Sequence, residues 1–116
     1  METWGLIKKE LSRHQRVIEI NHKFYPACLN LAIALGEIGR AADAITVLER
    51  VIVIKPDYAK AYNQLGIAHE IMRDPEKSIE YYLISKKLYS KMSDEKSEKE
   101  IDHRFHQLYK MIGAVS

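Results

Sequence analysis

Residues Ile52–Gly66 read IVIKPDYAKAYNQLG: two apolar-periodic runs meet at Pro56-Asp57, and a Leu-Gly pair stands inside the second. Proline lacks the N–H that a helix interior needs and aspartate caps well, so Pro56-Asp57 predicts the end of one helix and the capped start of another. A glycine within that second helix costs about 1 kcal/mol relative to alanine, which calls for a packing reason. The pair Leu31-Ala32 lies 34 residues earlier and again places a small residue after a leucine.

Working outward, apolar residues recur at three- and four-residue steps along the whole chain, and only 5 Gly and 3 Pro interrupt them. That spacing predicts an all-α protein. Breaks at Gly5, Asn21-His22, Gly39, Pro56-Asp57, Asp74-Pro75 and Ser93–Ser97 divide it into about six helices: Leu6–Ile20, Tyr25–Ile38, Ala41–Ile54, Tyr58–Met72, Pro75–Lys91 and Ser97–Ile112. Asp74 is expected to cap the fifth with Pro75 at its first position, and Ser97-x-x-Glu100 has the form of a capping box opening the last.

The chain has 116 residues, enough for one domain, and its 29% charged residues balance to a formal charge of +2. No strong field favours nucleic acid, an anionic membrane or an acidic substrate. No apolar run reaches the roughly 18 residues of a membrane span, and METWGLIKKE lacks a signal-peptide layout, so a soluble cytoplasmic protein is expected. Cys28 is the only cysteine and sits between apolar neighbours, which reads as a buried small hydrophobe.

The 34-residue offset relates Cys28 to Tyr62, Leu35 to His69, Ala44 to Ser78, Ile45 to Ile79 and Leu48 to Tyr82. Two helices repeating at that period, with Cys28-x2-Leu31-Ala32-x2-Leu35, Ala44-x3-Leu48 and Pro56, then Tyr62-x2-Leu65-Gly66-x2-His69 and Ser78-x3-Tyr82, resemble the tetratricopeptide repeat family over about two-thirds of the chain. The resemblance implies an α-solenoid of antiparallel helix pairs stacked in a right-handed superhelix, with the first helix of each pair lining a concave wall. The divisions expected within a single domain are a partial repeat or N-terminal cap helix over 1–24, repeats over 25–58 and 59–92, and a C-terminal capping helix over 93–116. The half copy at the front is either the remnant of a longer chain or a natural cap. In-register repetition fails after Tyr89, since Lys99-Glu100 stands where the next Leu-Gly pair is due. The last helix, with Ile101, Phe105, Leu108 and Ile112 on one stripe, is read either as a cap on Pro75–Lys91 or as a segment docked in the groove of its own or a neighbouring chain.

With Cys28, Leu31, Ala32 and Leu35 assigned to packing, the groove is expected to be lined by Leu29, Asn30, Ile33, Lys60, Asn63, Gln64, Ile67, Glu70 and Ile71. Its aliphatic members exceed what a water-facing wall needs, so a partner segment or the C-terminal helix covers them, or helix tilt buries some of them internally. Asn30, Asn63 and Gln64 suit the backbone of an extended segment. One subclass of the family clamps acidic chaperone tails with lysine, asparagine and arginine; the matching places here hold Leu29, Ile33, Gln64, Asp94 and Glu98, which disfavours that ligand.

No phosphate loop, nucleophile motif or dense carboxylate cluster is present, so no enzymatic activity, metal or cofactor is expected. His103 and His106 read as surface residues and His69 as a core histidine bonded to a backbone carbonyl. The basic run Lys8–Arg16 reads as a solvated helix face and Ser93–Glu100 as an exposed polar connection. A scaffold that binds a peptide or helix of a partner protein is the leading expectation. Its rivals are a homo-oligomer assembled through repeat ends or an exchanged C-terminal helix, and an accessory domain of a larger protein.

Overall fold

The computed structural model describes residues 25–115, which form five α-helices: α1 Tyr25–Glu37, α2 Ala41–Ile54, α3 Ala59–Ile71, α4 Pro75–Lys91 and α5 Glu95–Val115. No strand occurs among the described residues. The expected helix Leu6–Ile20, the half copy containing it and the basic run Lys8–Arg16 lie outside them. α1 pairs with α2 and α3 with α4 as hairpins, α3 stacks on both α1 and α2, and α5 lies on α4. This is a helical solenoid: neither hairpin buries its apolar side alone, and stacking makes the core continuous.

The connections are of two kinds. Within the first hairpin, Gly39 takes φ 82° and the Arg40 N–H donates to the Leu35 carbonyl at 2.7 Å. The second closes identically through Arg73, φ 60°, with the Asp74 N–H on the His69 carbonyl at 2.8 Å. These left-handed residues satisfy carbonyls that a helix end would otherwise leave unpaired, although only glycine adopts that φ without cost. The α2–α3 connection contains no left-handed residue; its Pro56 carbonyl accepts from the Tyr62 hydroxyl at 2.8 Å. Asp57 does not cap α3 as expected: Tyr58 is the cap residue, without a side-chain bond, and Asp57 makes an exposed 3.6 Å ion pair with Lys55.

Asp74 caps α4 through Oδ1, which accepts from the Lys77 N–H, with Pro75 in the first turn. The same device opens α5, and here the expectation is corrected. Asp94 accepts from the Ser97 N–H at 3.2 Å and from the Ser97 hydroxyl at 2.9 Å, so the helix begins at Glu95 and Ser97 lies inside it. A charged carboxylate one turn upstream is a better acceptor for the first N–H groups than the serine hydroxyl. The polar connection shrinks to Met92–Asp94, closed by Ser93 at φ 58° and the Asp94 N–H on the Tyr89 carbonyl.

The glycine in α3 has its packing reason. A Cβ built on Gly66 would lie 2.5 Å from Tyr82 Cδ1 and 2.9 Å from its Cζ, far inside contact distance. The fully buried Tyr82 ring therefore lies against the bare α3 backbone, and the buried Ser78 hydroxyl donates to the Gly66 carbonyl at 2.8 Å. In the first hairpin the equivalent pair is Ala32 with Leu48, a larger residue in α1 matched by a smaller one in α2, and both are buried in one cluster. Ser85 makes a second α4-to-α3 bond, to the Ala59 carbonyl at 2.8 Å.

α4 has 17 residues where α2 has 14, so α5 starts late relative to a strict period. Its buried Ile101 and Phe105 repeat Leu65 and His69 at 36 residues rather than 34. With Leu108 they pack on Tyr82 and Tyr89 of α4, Phe105 meeting Tyr82 edge-on at 6.0 Å between ring centroids. Lys86 and Asp102 add a 2.5 Å ion pair across the α4–α5 rim, exposed enough that it contributes little.

Candidate functional site

The residues expected to line one groove divide among five settings. Leu29 is only 9% exposed and belongs to the core with Tyr25 and Cys28, which corrects its assignment to the groove wall. The inner stripe of α1 is turned so that Leu29 points inward, while Leu31, assigned to packing, is only partly buried. Asn30 and Lys60 are exposed on their helices and line none of the cavities described here.

Ile33, Gln64, Ile67 and Ile71 come together. They line a trough of about 280 Å³ between α1 and α3, floored by Ala32, Ala44, Leu48 and Ala68 and edged by Gly36 and Glu37. Among the described residues of that lining, Glu37 alone is charged. Ile33 and Ile67 are half-buried, whereas Ile71 is 49% exposed, so an aliphatic strip faces solvent along α3.

Asn63 and Glu70 line two further cavities, both between α3 and α5. The backbones of α1 and α3 approach each other, whereas α5 rests on α4 and stands off from α3. At the N-terminal end of this wedge a cleft of about 540 Å³ is lined by Asn63, Lys96, Lys99, Glu100, His103, Arg104 and Gln107. At the other end a cleft of about 660 Å³ is lined by Glu70, Ile71, Arg73, Pro75, Leu108, Met111 and Ile112. Buried Asn63 Oδ1 has no hydrogen-bond partner. The Tyr82 hydroxyl donates to Glu70 Oε1 at 2.5 Å; burial first, and then this bond, push the tyrosine pKa up.

The contribution of α5 to these clefts was missed because a fixed 34-residue step misplaces its residues. Read from the packing stripe, the α5 counterparts of Lys60 and Gln64 are Lys96 and Glu100 rather than Asp94 and Glu98. The signal that finds the shift is in the sequence: Met72-Arg73-Asp74-Pro75-Glu76-Lys77-Ser78 returns as Met92-Ser93-Asp94-Glu95-Lys96-Ser97, the same turn and cap.

His69 is 7% exposed and stacks on Tyr81 at 5.4 Å, but its Nε2 has no hydrogen-bond partner, so the expected carbonyl bond is absent at that nitrogen. Burial lowers its pKa; smaller contributions come from Asp74, which raises it, Lys77, which lowers it further, and Glu49, which raises it. An imidazole harder to protonate when folded binds more protons unfolded, so its stability contribution is complete above about pH 6.5 and falls as pH drops through that value. Urea unfolding of the wild type should lose stability between pH 7.5 and 5, and His69→Phe should flatten that loss; an unchanged slope would remove His69 as its source. His103 is exposed, with Nε2 3.3 Å from Gln107 Nε2. Cys28 is fully buried and its thiol pKa is pushed up to about 11 by that burial, the behaviour of an inert packing residue.

Among the described residues no three His, Cys, Asp or Glu side chains gather to hold a metal ion, and no helix is long and apolar enough to cross a membrane. The chain matches two family profiles, one described as TPR repeat over residues 34–71 and one as tetratricopeptide repeat over residues 59–91. Over 49 residues, 42% of the chain, it is 43% identical to the Hsp70-Hsp90 organizing protein of Triticum aestivum, of which the match spans 8%. With two stacked hairpins, a 34-residue period and both profiles pointing the same way, the chain belongs to the tetratricopeptide repeat family.

Proposed function

We propose that this protein is an interaction module that holds a peptide or helix of a partner protein in the trough between α1 and α3. Tetratricopeptide repeats generally mediate protein–protein interaction, which supplies the class of function. The observation that carries the site is the aliphatic strip of half-buried Ile33 and Ile67 and exposed Ile71 over a preformed cavity, beside a core of closed-off side chains among the described residues. Apolar surface left open next to a close-packed core gains most from a partner that covers it. Gln64 at the same wall offers a donor and an acceptor to a backbone without reading sequence.

The name of the wheat relative couples it to Hsp70 and Hsp90, but an acidic chaperone tail fits this trough poorly. Leu29 is buried, Ile33 is aliphatic, Gln64 is neutral, Glu37 is the only charge in the lining among the described residues, and of the two α5 positions only Lys96 is basic. An apolar segment is the better complement.

A peptide library displayed on phage and selected against the protein tests the site, with Ile33→Glu/Ile67→Glu as the counter-target. Binders rich in aliphatic residues should lose at least tenfold in affinity for the double variant while its circular dichroism stays helical. Undiminished binding to a folded double variant would sink the trough as the site.

A further inference from the structure

We infer that the wedge between α3 and α5 is a second docking surface, and that its occupant is an amphipathic helix of a partner protein, acidic in one half and aliphatic in the other. The inference shares with the trough only the reading of the chain as an interaction module, and it concerns different residues.

The wedge is a departure from the repeat. Regular stacking brings α1 and α3 together and leaves about 280 Å³ between them, whereas α3 and α5 leave about 540 and 660 Å³ at the two ends of their gap. The cause is local: the longer α4 and the tight Met92–Asp94 turn fix α5 on α4 and away from α3. α5 also outlasts α3, with 21 residues against 13, so Leu108, Met111 and Ile112 overhang the α3–α4 turn beside Arg73 and Pro75.

The two ends differ in chemistry. Among the described lining residues, Lys96, Lys99 and Arg104, opposed by Glu100, make the N-terminal cleft cationic. At the other end Ile71, Pro75, Leu108, Met111 and Ile112 form the walls, and Glu70 and Arg73 there are of opposite sign. Met111 is 66% and Ile112 42% exposed, apolar area that a covering side chain would remove from water. Charge complementarity asks for carboxylates at the first end and aliphatic side chains at the second.

The spacing selects a helix. The lining residues of α5 from Lys96 to Ile112 fall on one face of the helix, three and four positions apart, so each turn of about 5.4 Å contributes to the wall. A helix lying alongside presents its own i, i+4, i+7 side chains at the same step, whereas same-face residues of an extended strand recur at about 6.6 Å and drift out of register. The cations are spread over roughly 12 Å of helix, which suits side-chain carboxylates along a partner better than a single chain end.

The test uses two 18-residue peptides, acetylated and amidated. Each carries glutamates at one-turn steps in one half and leucines in the other, one with the acidic half first and one with it last, so that either helix direction is sampled. At least one should bind the full chain by fluorescence anisotropy, gain helicity on binding and weaken as salt is raised. Lys96→Glu/Lys99→Glu should reduce its affinity at least tenfold and Ile112→Asn several-fold, all three positions being exposed. Replacing the glutamates by lysines should abolish binding. Ile33→Glu/Ile67→Glu should leave the affinity unchanged, which separates the wedge from the trough. The wedge is overturned if neither peptide binds, if binding brings no helicity, if the lysine peptide binds as well, or if affinity survives Lys96→Glu/Lys99→Glu. Loss of binding only in the trough variant would overturn the wedge and leave the trough standing.

Discussion

Gly66→Ala is expected to destabilise the protein by about 2 kcal/mol, the reverse of what helix propensity alone would do. In an open helix interior that substitution gains about 1 kcal/mol. Here the new methyl would meet the Tyr82 ring at 2.5 Å, and the ring cannot yield cheaply. It is fully buried, pinned at its hydroxyl by Glu70 and backed edge-on by Phe105. Overpacking of this sort costs about 1–3 kcal/mol beyond any propensity gain. Tyr82→Leu alone should also destabilise, by about 2–4 kcal/mol, through the space left above a bare backbone. Together, Gly66→Ala/Tyr82→Leu rebuild the pair Ala32 and Leu48 of the first hairpin. The double variant should therefore be less destabilised than the sum of the singles by more than 1 kcal/mol in urea unfolding. Additive effects would mean that the glycine and the tyrosine do not share one contact.

The same contact shows what the sequence made legible. A small residue after a leucine, returning at 34 residues, is sufficient to place two hairpins, because the period reflects close approach of α3 to α4 at Gly66 and of α1 to α2 at Ala32. Helix starts at Ala41 and Pro75 were equally readable, since a proline after a capping aspartate or a residue after a left-handed glycine is chemistry local to a few residues. Leu29 was not readable. It borders the packing stripe, and which edge of a stripe turns inward depends on helix tilt, a property of the neighbouring hairpin rather than of α1. Of the residues expected to share one groove, Ile33, Gln64, Ile67 and Ile71 meet in the trough, whereas Asn63 and Glu70 face α5. The wedge was hidden for a different reason. Three extra residues in α4 are invisible to a fixed period, and the place of α5 became clear only through the repeated Met-x-Asp turn and the buried stripe of Ile101 and Phe105.

Phe105→Ala is expected to cost about 3–5 kcal/mol, a large share of the roughly 5–15 kcal/mol that holds a domain of this size together. Its ring is 9% exposed, edge-on to Tyr82 at 6.0 Å and stacked with Tyr109 at 6.2 Å, so truncation opens a cavity over the tyrosine that also packs on Gly66. The melting temperature should fall by at least about 10 °C. The form of the transition carries further information. Were α5 a separable helix resting on a finished two-hairpin unit, its loss would appear as an early phase, and the main transition would stay where it was. Tyr82 joins the two, through Phe105 on one side and through Gly66 and Glu70 on the other, so the α3–α4 hairpin should weaken together with α5. Far-ultraviolet circular dichroism and tyrosine fluorescence should then report one coincident transition at lower urea in Phe105→Ala. A main transition unmoved by the substitution would mean that α5 is an appendage, and the wedge beside it would lose the fixed wall on which a partner must dock.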